Sequence, residues 1–332
     1  MIARRALLAL ALLPASAAAQ VDPVAHVNPE LRQIARILLR ADAAVVKAQP
    51  AKSNPTPVPP GVTKQTVPGL PGQPPVDIFL VNATPGATLR GAILYIHGGG
   101  FVAGDARDNL RALSALAGRL GCAIASVQYR LAPGTPFPGA LNDNYAALKW
   151  LHDNAGKLGV DPARLVVMGE SAGGGHAAML TIAARDRREV PIAAQVLVYP
   201  MLDDRTGSVR PVPPTIGTLV WHSAENRKGW SVLLGRPAGS SRMPSGAVPA
   251  RVADLHGLPP TFIGVGSIDL FASEDTEFAR RLIDAQVPTE LLVVPGAFHG
   301  FQLFAPQASV SRQFNAAIEG ALARGLSGEK WK

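Results

Sequence analysis

The amino-acid sequence predicts an α/β protein in which a mostly parallel β-sheet is covered by helices on both faces. From about residue 90, apolar runs of strand length alternate with segments of helical pattern. This alternation is typical of parallel sheets buried on both sides. The apolar fraction of 47% suits a large core, and 332 residues suffice for one large domain or two smaller ones.

Residues 1–19 have the layout of an export signal peptide. A basic start, "MIARR", precedes an apolar stretch and then small residues, "ASAAA". We expect cleavage after Ala19 and export to the periplasm or the medium, while Arg4 and Arg5 leave both the Sec and the twin-arginine routes open. The apolar stretch is shorter than the roughly 20 residues that cross a bilayer, so no membrane span is expected.

Residues 20–62 are expected to contribute a cap helix and a connector. Residues 28–48 carry apolar side chains at helical spacing, with Asn28 as N-cap and Pro29 at the first helical position. The proline-rich stretch "QPAKSNPTPVPPGV" follows, and it suits neither a helix nor a sheet interior. Residues 64–81 then predict two short antiparallel strands.

The catalytic domain is expected to comprise residues 63–201 and 249–332. Its main strands are predicted, in chain order, at 91–96, 122–129, 164–169, 193–200, 259–266 and 289–296. The helices between them are predicted at about 107–119, 141–159, 172–185 and 273–286. Ligand sites in such sheets gather at the carboxyl ends of the strands.

Residues 202–248 interrupt this alternation. They contain one helical segment, "WHSAENRKGWSVLLG", between stretches rich in proline, glycine and serine. We expect this insertion to form a small helical cap over the sheet, together with the N-terminal helix.

The segment "GESAGG", residues 169–174, contains a candidate catalytic serine. A strand, then Gly-x-Ser-x-Gly, then a helix is typical of a nucleophile elbow, in which a sharp turn exposes the serine. A chain with 33 glycines contains such patterns by chance. The position of Ser171 between a buried strand and a helix favours the catalytic interpretation.

A serine nucleophile needs a base and an acid. His299 follows the last apolar strand, and Asp269 follows the one before it, so both should lie at the sheet edge that holds Ser171. The chain order serine, aspartate, histidine is the order of α/β-hydrolases. His97 also ends a strand, but the glycines beside it indicate a bracing role.

The segment "YIHGGGF", residues 95–101, predicts an anion-stabilising loop. Attack on a carbonyl creates an oxyanion, which backbone N–H groups stabilise when no side chain blocks them. Gly98 and Gly99 can supply two such groups, and Ala172, directly after the nucleophile, a third. The alternative is that the three glycines only form a flexible turn. The nucleophile elbow some seventy residues downstream disfavours this alternative, because an anion-stabilising loop is expected to accompany a serine nucleophile.

Together these segments resemble the hormone-sensitive-lipase-like family of α/β-hydrolases over about residues 64–325. The resemblance is carried by "HGGGF", "YRLAP", "GVDPARLVVMGESAGG", "GSIDLFASED" and "PGAFHGF". It implies the α/β-hydrolase fold, with a mostly parallel eight-stranded sheet and a small helical cap. It also implies cleavage of short-chain acyl esters without a cofactor, through an acyl-enzyme on Ser171, with His299 as general base and acid and Asp269 as its orienting acid.

Three further residues are candidates for the walls of the substrate pocket. Phe101, after the glycines, is expected to line the acyl pocket. Met201 and Trp221 are additional wall candidates, although core packing is the favoured interpretation of each.

Several other classes of function are disfavoured. The net charge is +8, but the basic residues are scattered rather than clustered, so nucleic acid is not an expected partner. Cys122 lies in an apolar run, which indicates a buried structural thiol, and no ligand spacing indicates a metal.

A small-molecule ester is therefore the expected partner, and a homodimer is left open. A deacetylase of acetylated carbohydrates, or an amidase or peptidase, could use the same triad. A non-catalytic binding homologue is disfavoured because His299 is present.

Overall fold

The computed structural model describes residues 22–45, 56–86 and 89–329, together with residue 331. The predicted signal peptide and the first half of the proline-rich connector lie outside these residues.

The described chain folds around one eight-stranded sheet, as expected. In chain order its strands are β1 Val62–Val67, β2 Val76–Val81, β3 Arg90–Ile96, β4 Ala123–Gln128, β5 Val160–Glu170, β6 Ala194–Val198, β7 Thr261–Gly266 and β8 Thr289–Val294. Their order across the sheet is β1-β2-β4-β3-β5-β6-β7-β8. Strand β2 pairs antiparallel with β1 and β4, and all other pairs are parallel. The predicted α/β class is confirmed.

Helices cover both faces of this sheet. They are α1 Arg32–Val45, α2 Leu110–Leu120, α3 Gly139–Asp153, α4 Ala172–Arg187, α5 Ser223–Leu234, α6 Ala272–Asp284, α7 Phe301–Phe304 and α8 Ser309–Ser327. Alternate residues of β3 point to opposite faces: Ile93 and Tyr95 belong to one core, and Leu94 and Ile96 to the other. A strand buried on both sides must be apolar throughout, which explains the unbroken run "GAILYI".

Two helix boundaries differ from the prediction. The helix expected from residue 141 to 159 ends at Asp153, and a separate 3-10 turn, Ala155–Leu158, follows it. Gly159 closes that turn in the left-handed conformation, where it meets the backbone of Thr84. The N-terminal helix similarly begins with a 3-10 turn, Pro29–Leu31, capped by the side chain of Asn28.

The C-terminal helix α8 was not among the predicted helices. Its buried side chains recur at helical spacing, and they include Val310, Phe314, Ile318 and Leu322. Phe314 packs against Phe301 with ring centroids 4.9 Å apart, and Gly325 lies directly against Val166 of β5. The helix therefore covers the centre of one face of the sheet.

The insertion 202–248 lies next to the glycine loop. A β-carbon on Gly229 of α5 would come within 2.6 Å of the carbonyl oxygen of Gly100, so only glycine permits this approach. The N-terminal segment docks elsewhere: the backbone N–H of Asn28 donates to the carbonyl of Gly296 at 2.8 Å, three residues before His299. Both segments thus flank the carboxyl ends of the strands.

Candidate active site

Ser171 occupies a sharp turn between β5 and α4. Its φ of 55° and ψ of −123° place a non-glycine residue in a strained region of backbone space. A β-carbon on Gly169 would lie 2.1 Å from the carbonyl oxygen of Gly173, and one on Gly173 would lie 2.1 Å from that of Ile96. The two flanking glycines are therefore required by the turn that exposes the serine.

The structure brings Ser171, His299 and Asp269 into one hydrogen-bonded chain. Nε2 of His299 lies 3.0 Å from Oγ of Ser171, and Nδ1 lies 2.8 Å from Oδ2 of Asp269. The other carboxylate oxygen of Asp269 accepts the backbone N–H of Phe271 at 3.0 Å. An ionised carboxylate only accepts hydrogen bonds, so it holds the proton on Nδ1 and leaves Nε2 free to accept the serine proton.

Aromatic rings enclose the imidazole of His299. Tyr199 and Phe271 lie edge-on to it, with ring centroids 4.7 and 5.3 Å away. Only 7% of His299 is exposed, so these rings shield the hydrogen bond to Asp269 from water. Exclusion of water strengthens the electrostatic coupling between the two residues.

Glu170 and Tyr199 belong to the site although sequence reasoning did not single out a role for either. The hydroxyl of Tyr199 lies 3.4 Å from Oε2 of Glu170 and accepts a hydrogen bond from Gln302 at 2.6 Å. Burial raises the pKa of the Glu170 carboxyl, with the hydroxyls of Tyr199 and Tyr95 acting against that shift. The position of Glu170 directly before the nucleophile was the available clue, whereas nothing local distinguished Tyr199 from a core residue.

The glycine loop approaches the nucleophile closely. A β-carbon on Gly98 would lie 3.0 Å from the backbone of Glu170 and 3.4 Å from the side chain of Ser171. Gly99 has a φ of 122°, and a β-carbon there would lie 2.1 Å from the carbonyl of Ala103. Ala172 opens α4, so its N–H is one of the first-turn donors without an intrahelical acceptor. Gly98 and Gly99 line the same cavity as Ser171, and Ala172 follows it directly, so the three predicted donors lie beside the nucleophile.

His97 braces this loop. Its ring stacks on Tyr129 with centroids 4.2 Å apart, and its Nδ1 lies 2.8 Å from the carbonyl of Gly98. The Tyr129 hydroxyl donates to the carbonyl of His97 at 2.7 Å. Burial lowers the pKa of His97, which keeps the ring neutral at physiological pH.

A cavity of about 360 Å³ opens onto the serine. Ser171 and His299 line it together with the glycine loop, Trp221, and Leu303 and Phe304 of α7. The side chain of Leu303 is 63% exposed, so the cavity has an apolar mouth at this end.

Of the three predicted wall residues, the structure places Trp221 on this cavity and the other two in the core. Phe101 is 1% exposed, and its ring packs edge-on against His176 and Trp230 at 4.9 and 4.8 Å. Met201 is fully buried, and its backbone N–H donates to the carbonyl of Ser171. Phe101 and Met201 thus support the loops that form the site from behind.

A larger groove, of about 820 Å³, lies at the amino ends of β6 and β7. Charged side chains line it, among them Arg185, Asp254 and His256. His256 pairs with Asp254 at 2.7 Å, but no serine or cysteine lies beside them in the lining. Its volume exceeds that of the serine cavity, yet the chemistry of the serine cavity identifies the candidate active site.

The described residues carry few signs of other chemistry. No three His, Cys, Asp or Glu side chains within ranges 22–45, 56–86 and 89–329 gather as a metal site. Cys122 is buried, and desolvation raises the pKa of its thiol to about 11, which makes it a poor nucleophile. None of the helices in the described part of the chain has the length and apolarity needed to cross a bilayer.

Comparisons with known proteins agree with this geometry. Residues 93–303 match a family described as alpha/beta hydrolase fold. The carboxylesterase NlhH of Mycobacterium tuberculosis is 33% identical over 240 residues, which cover 70% of this chain and 73% of NlhH. An ethyl acetate hydrolase of Pseudomonas putida is 31% identical over 230 residues, 68% of this chain and 71% of that enzyme. A solved bacterial heroin esterase superposes with a TM-score of 0.78 at 37% identity, covering 91% of this chain and 98% of that one.

Proposed function

This chain belongs to the hormone-sensitive-lipase-like family of α/β-hydrolase esterases, and we propose that it is a serine carboxylesterase that cleaves short-chain acyl esters at Ser171. The observation that carries the proposal is the unbroken hydrogen-bonded chain from the serine hydroxyl through His299 to Asp269. It is the arrangement that a hydroxyl needs to become a nucleophile at neutral pH.

The reaction follows from these positions. Nε2 of His299 takes the proton as Oγ of Ser171 attacks the ester carbonyl, and Asp269 stabilises the imidazolium that forms. The oxyanion turns toward the N–H groups of Gly98, Gly99 and Ala172. The imidazolium then protonates the alcohol oxygen, which leaves, and an acyl-enzyme remains. Water activated by the same imidazole releases the acid and restores the serine.

The size of the cavity supports a small acyl group. Its volume of about 360 Å³ lies near the lower end of the roughly 300–1,000 Å³ usual for ligand pockets. The name of the Pseudomonas putida relative, an ethyl acetate hydrolase, points the same way. We therefore infer that acetyl and other short acyl esters are the preferred substrates. Acetylated carbohydrates carry the same acetyl group and are the alternative substrates. Amides are a second alternative, because the same triad can cleave them.

Replacement of the nucleophile tests this proposal. Ser171→Ala should lower kcat for p-nitrophenyl acetate by about 10⁵- to 10⁶-fold, because the acyl-enzyme cannot form. Ser114→Ala is a matched control, since that hydroxyl only bonds to the carbonyl of Leu110 in α2. An active-site-directed organophosphate should label the wild type and the control, and not Ser171→Ala. Wild-type turnover by Ser171→Ala would overturn the proposal. The kcat/KM for acetate release from acetylated xylan, compared with kcat/KM for the p-nitrophenyl esters, would show which of the two substrate classes is preferred.

We further propose that the protein is exported and that its leader is removed after Ala19. The pattern of residues 1–19 supports this, and Asp22, just beyond, already pairs with Arg36 at 2.8 Å within the folded domain. Mass spectrometry of the secreted or periplasmic protein should give Gln20 as the first residue. Recovery of the full chain from the cytoplasm, with residues 1–19 intact, would contradict it. Association into a homodimer stays a prediction, which sedimentation of the mature protein would test.

A further inference from the structure

Residues 217–221, which we call the strap, cross the site between two catalytic loops. At one end, the N–H of Gly217 donates to the carbonyl of Ile268 at 3.0 Å, next to the triad acid. At the other end, the indole of Trp221 lies so close to Gly100 that a β-carbon there would be 2.3 Å from the ring. The strap therefore joins the loop of Asp269 to the glycine loop.

The backbone of the strap is strained just before the tryptophan. Val220 has a φ of 69°, a value that β-branched residues rarely adopt. The N–H of Trp221 donates to the carbonyl of Leu219 at 2.8 Å, which closes a tight three-residue turn around Val220. Strain of this kind persists only where surrounding contacts enforce it, and it concentrates at functional sites.

Contacts with α5 fix the orientation of the indole. Nε1 of Trp221 donates to Oδ1 of Asn226 at 3.4 Å. Asn226 is fully buried, and its amide donates to the carbonyl of Thr206 at 2.9 Å. The ring is thus held from the strap, from α5 and from the glycine loop, while one side of it lines the cavity.

The mechanism determines which part of the substrate meets this ring. The leaving alcohol oxygen must receive its proton from Nε2 of His299, so the alcohol part extends toward the His299 side, where Leu303 and Phe304 line the cavity. The carbonyl oxygen points at the glycine loop. The direction that remains for the acyl chain runs past the glycine loop, where the Trp221 ring packs on Gly100.

Building on the proposed esterase function, we propose that Trp221 closes the acyl end of the cavity and sets the maximum length of the acyl chain. A rigid ring held from three sides cannot move aside for a longer chain without releasing Asn226 or Gly100. Acyl groups that reach the ring are accepted, and longer ones are excluded by steric overlap. Trp221 is accordingly a specificity-determining residue for this reaction.

Two substrate series test the assignment. The first varies the acyl chain of p-nitrophenyl esters from acetate to octanoate, and the second keeps the acetyl group and varies the alcohol from ethyl to hexyl. Trp221→Ala should raise the octanoate-to-acetate ratio of kcat/KM by about tenfold or more, since a few methylenes in an apolar pocket are worth at least that. The ratio in the alcohol series should not change. Leu303→Ala should change the hexyl-to-ethyl ratio of kcat/KM in the alcohol series and leave the octanoate-to-acetate ratio at its wild-type value.

Matched variants guard against indirect effects. Trp150→Ala removes a partly buried tryptophan from α3, away from the cavity, and should leave both ratios at their wild-type values. Trp221→Phe keeps a ring over Gly100 and should give an intermediate acyl ratio, so it serves if Trp221→Ala does not fold.

An acyl ratio within twofold of wild type in both Trp221 variants, or a shift confined to the alcohol series, would overturn the assignment. Failure of the esterase proposal itself would look different: the wild type would hydrolyse no member of either series, and an organophosphate would leave Ser171 unlabelled.

Discussion

Oδ2 of Asp269 lies 2.8 Å from Nδ1 of His299, although the two residues are 30 positions apart and follow different strands. Strands β7 and β8 pair in parallel, with Gly266 opposite Val294. Each residue then emerges from the carboxyl end of its strand within a few positions of that pair. Adjacent parallel strands thus bring the acid and the base together without any contact that is local in sequence.

This relationship predicts the effect of Asp269→Asn. An asparagine keeps the shape of the side chain but cannot hold the proton on Nδ1, so kcat for p-nitrophenyl acetate should fall by about 10⁴-fold. Asp284→Asn, an exposed position on the following helix α6, is the control and should retain wild-type turnover. Turnover by Asp269→Asn within tenfold of wild type would show that another group orients His299.

The second prediction concerns the glycine loop. In Gly99→Ala the new β-carbon would meet the carbonyl of Ala103 at 2.1 Å, in a backbone conformation of φ 122° that side chains rarely adopt. The loop must shift, and loss of one oxyanion donor lowers kcat by about 10²- to 10³-fold. Gly118→Ala in α2 provides the comparison, because no atom lies within 4 Å of its β-carbon and alanine favours helices. That control should keep full activity and gain up to about 1 kcal/mol in the free energy of unfolding. Equal kcat values for the two variants would count against the assigned oxyanion loop.

A third prediction concerns stability in acid. His176 is 2% exposed between the rings of Phe101 and Tyr129, and burial lowers its pKa from the ordinary 6.5 to about 3. Between these two pH values the unfolded chain binds a proton that the native state does not. The contribution of His176 to stability therefore falls as the pH falls, by about 1.4 kcal/mol per pH unit.

Urea unfolding at pH 7 and pH 5 would measure this contribution. The wild type should lose about 2 kcal/mol more than His176→Leu over that interval, because the variant lacks the titrating group. Ser114→Ala, which removes no titrating group, should lose as much as the wild type. Identical losses for the wild type and His176→Leu would mean that the buried imidazole is protonated in the native state.

Much of the site was predictable because its motifs encode backbone geometry. The elbow around Ser171 requires glycine at positions 169 and 173, where any β-carbon would overlap a carbonyl. The glycine loop has the same property at Gly99. The apolar strand runs likewise follow from burial on both faces, so the central strands and the helices between them could be inferred from composition and spacing. The contacts at Gly169, with Gly173, and at Gly99, with Ala103, lie within a few residues, so local sequence determined them, whereas the glycine at 173 is required by Ile96 of β3.

The walls of the cavity depended on tertiary structure alone. Phe101 and Trp221 are both large aromatic residues near the site. The sequence around each does not show whether its ring packs in the core or lines the cavity. Phe101 turns inward because His176 and Trp230, from two distant helices, complete a pocket for its ring. Trp221 turns to the cavity because a strained turn at Val220 and the amide of Asn226 hold it there. The contacts of Phe101 join residues that are far apart in the chain, and Trp221 meets Gly100 only once the insertion 202–248 has packed beside the glycine loop.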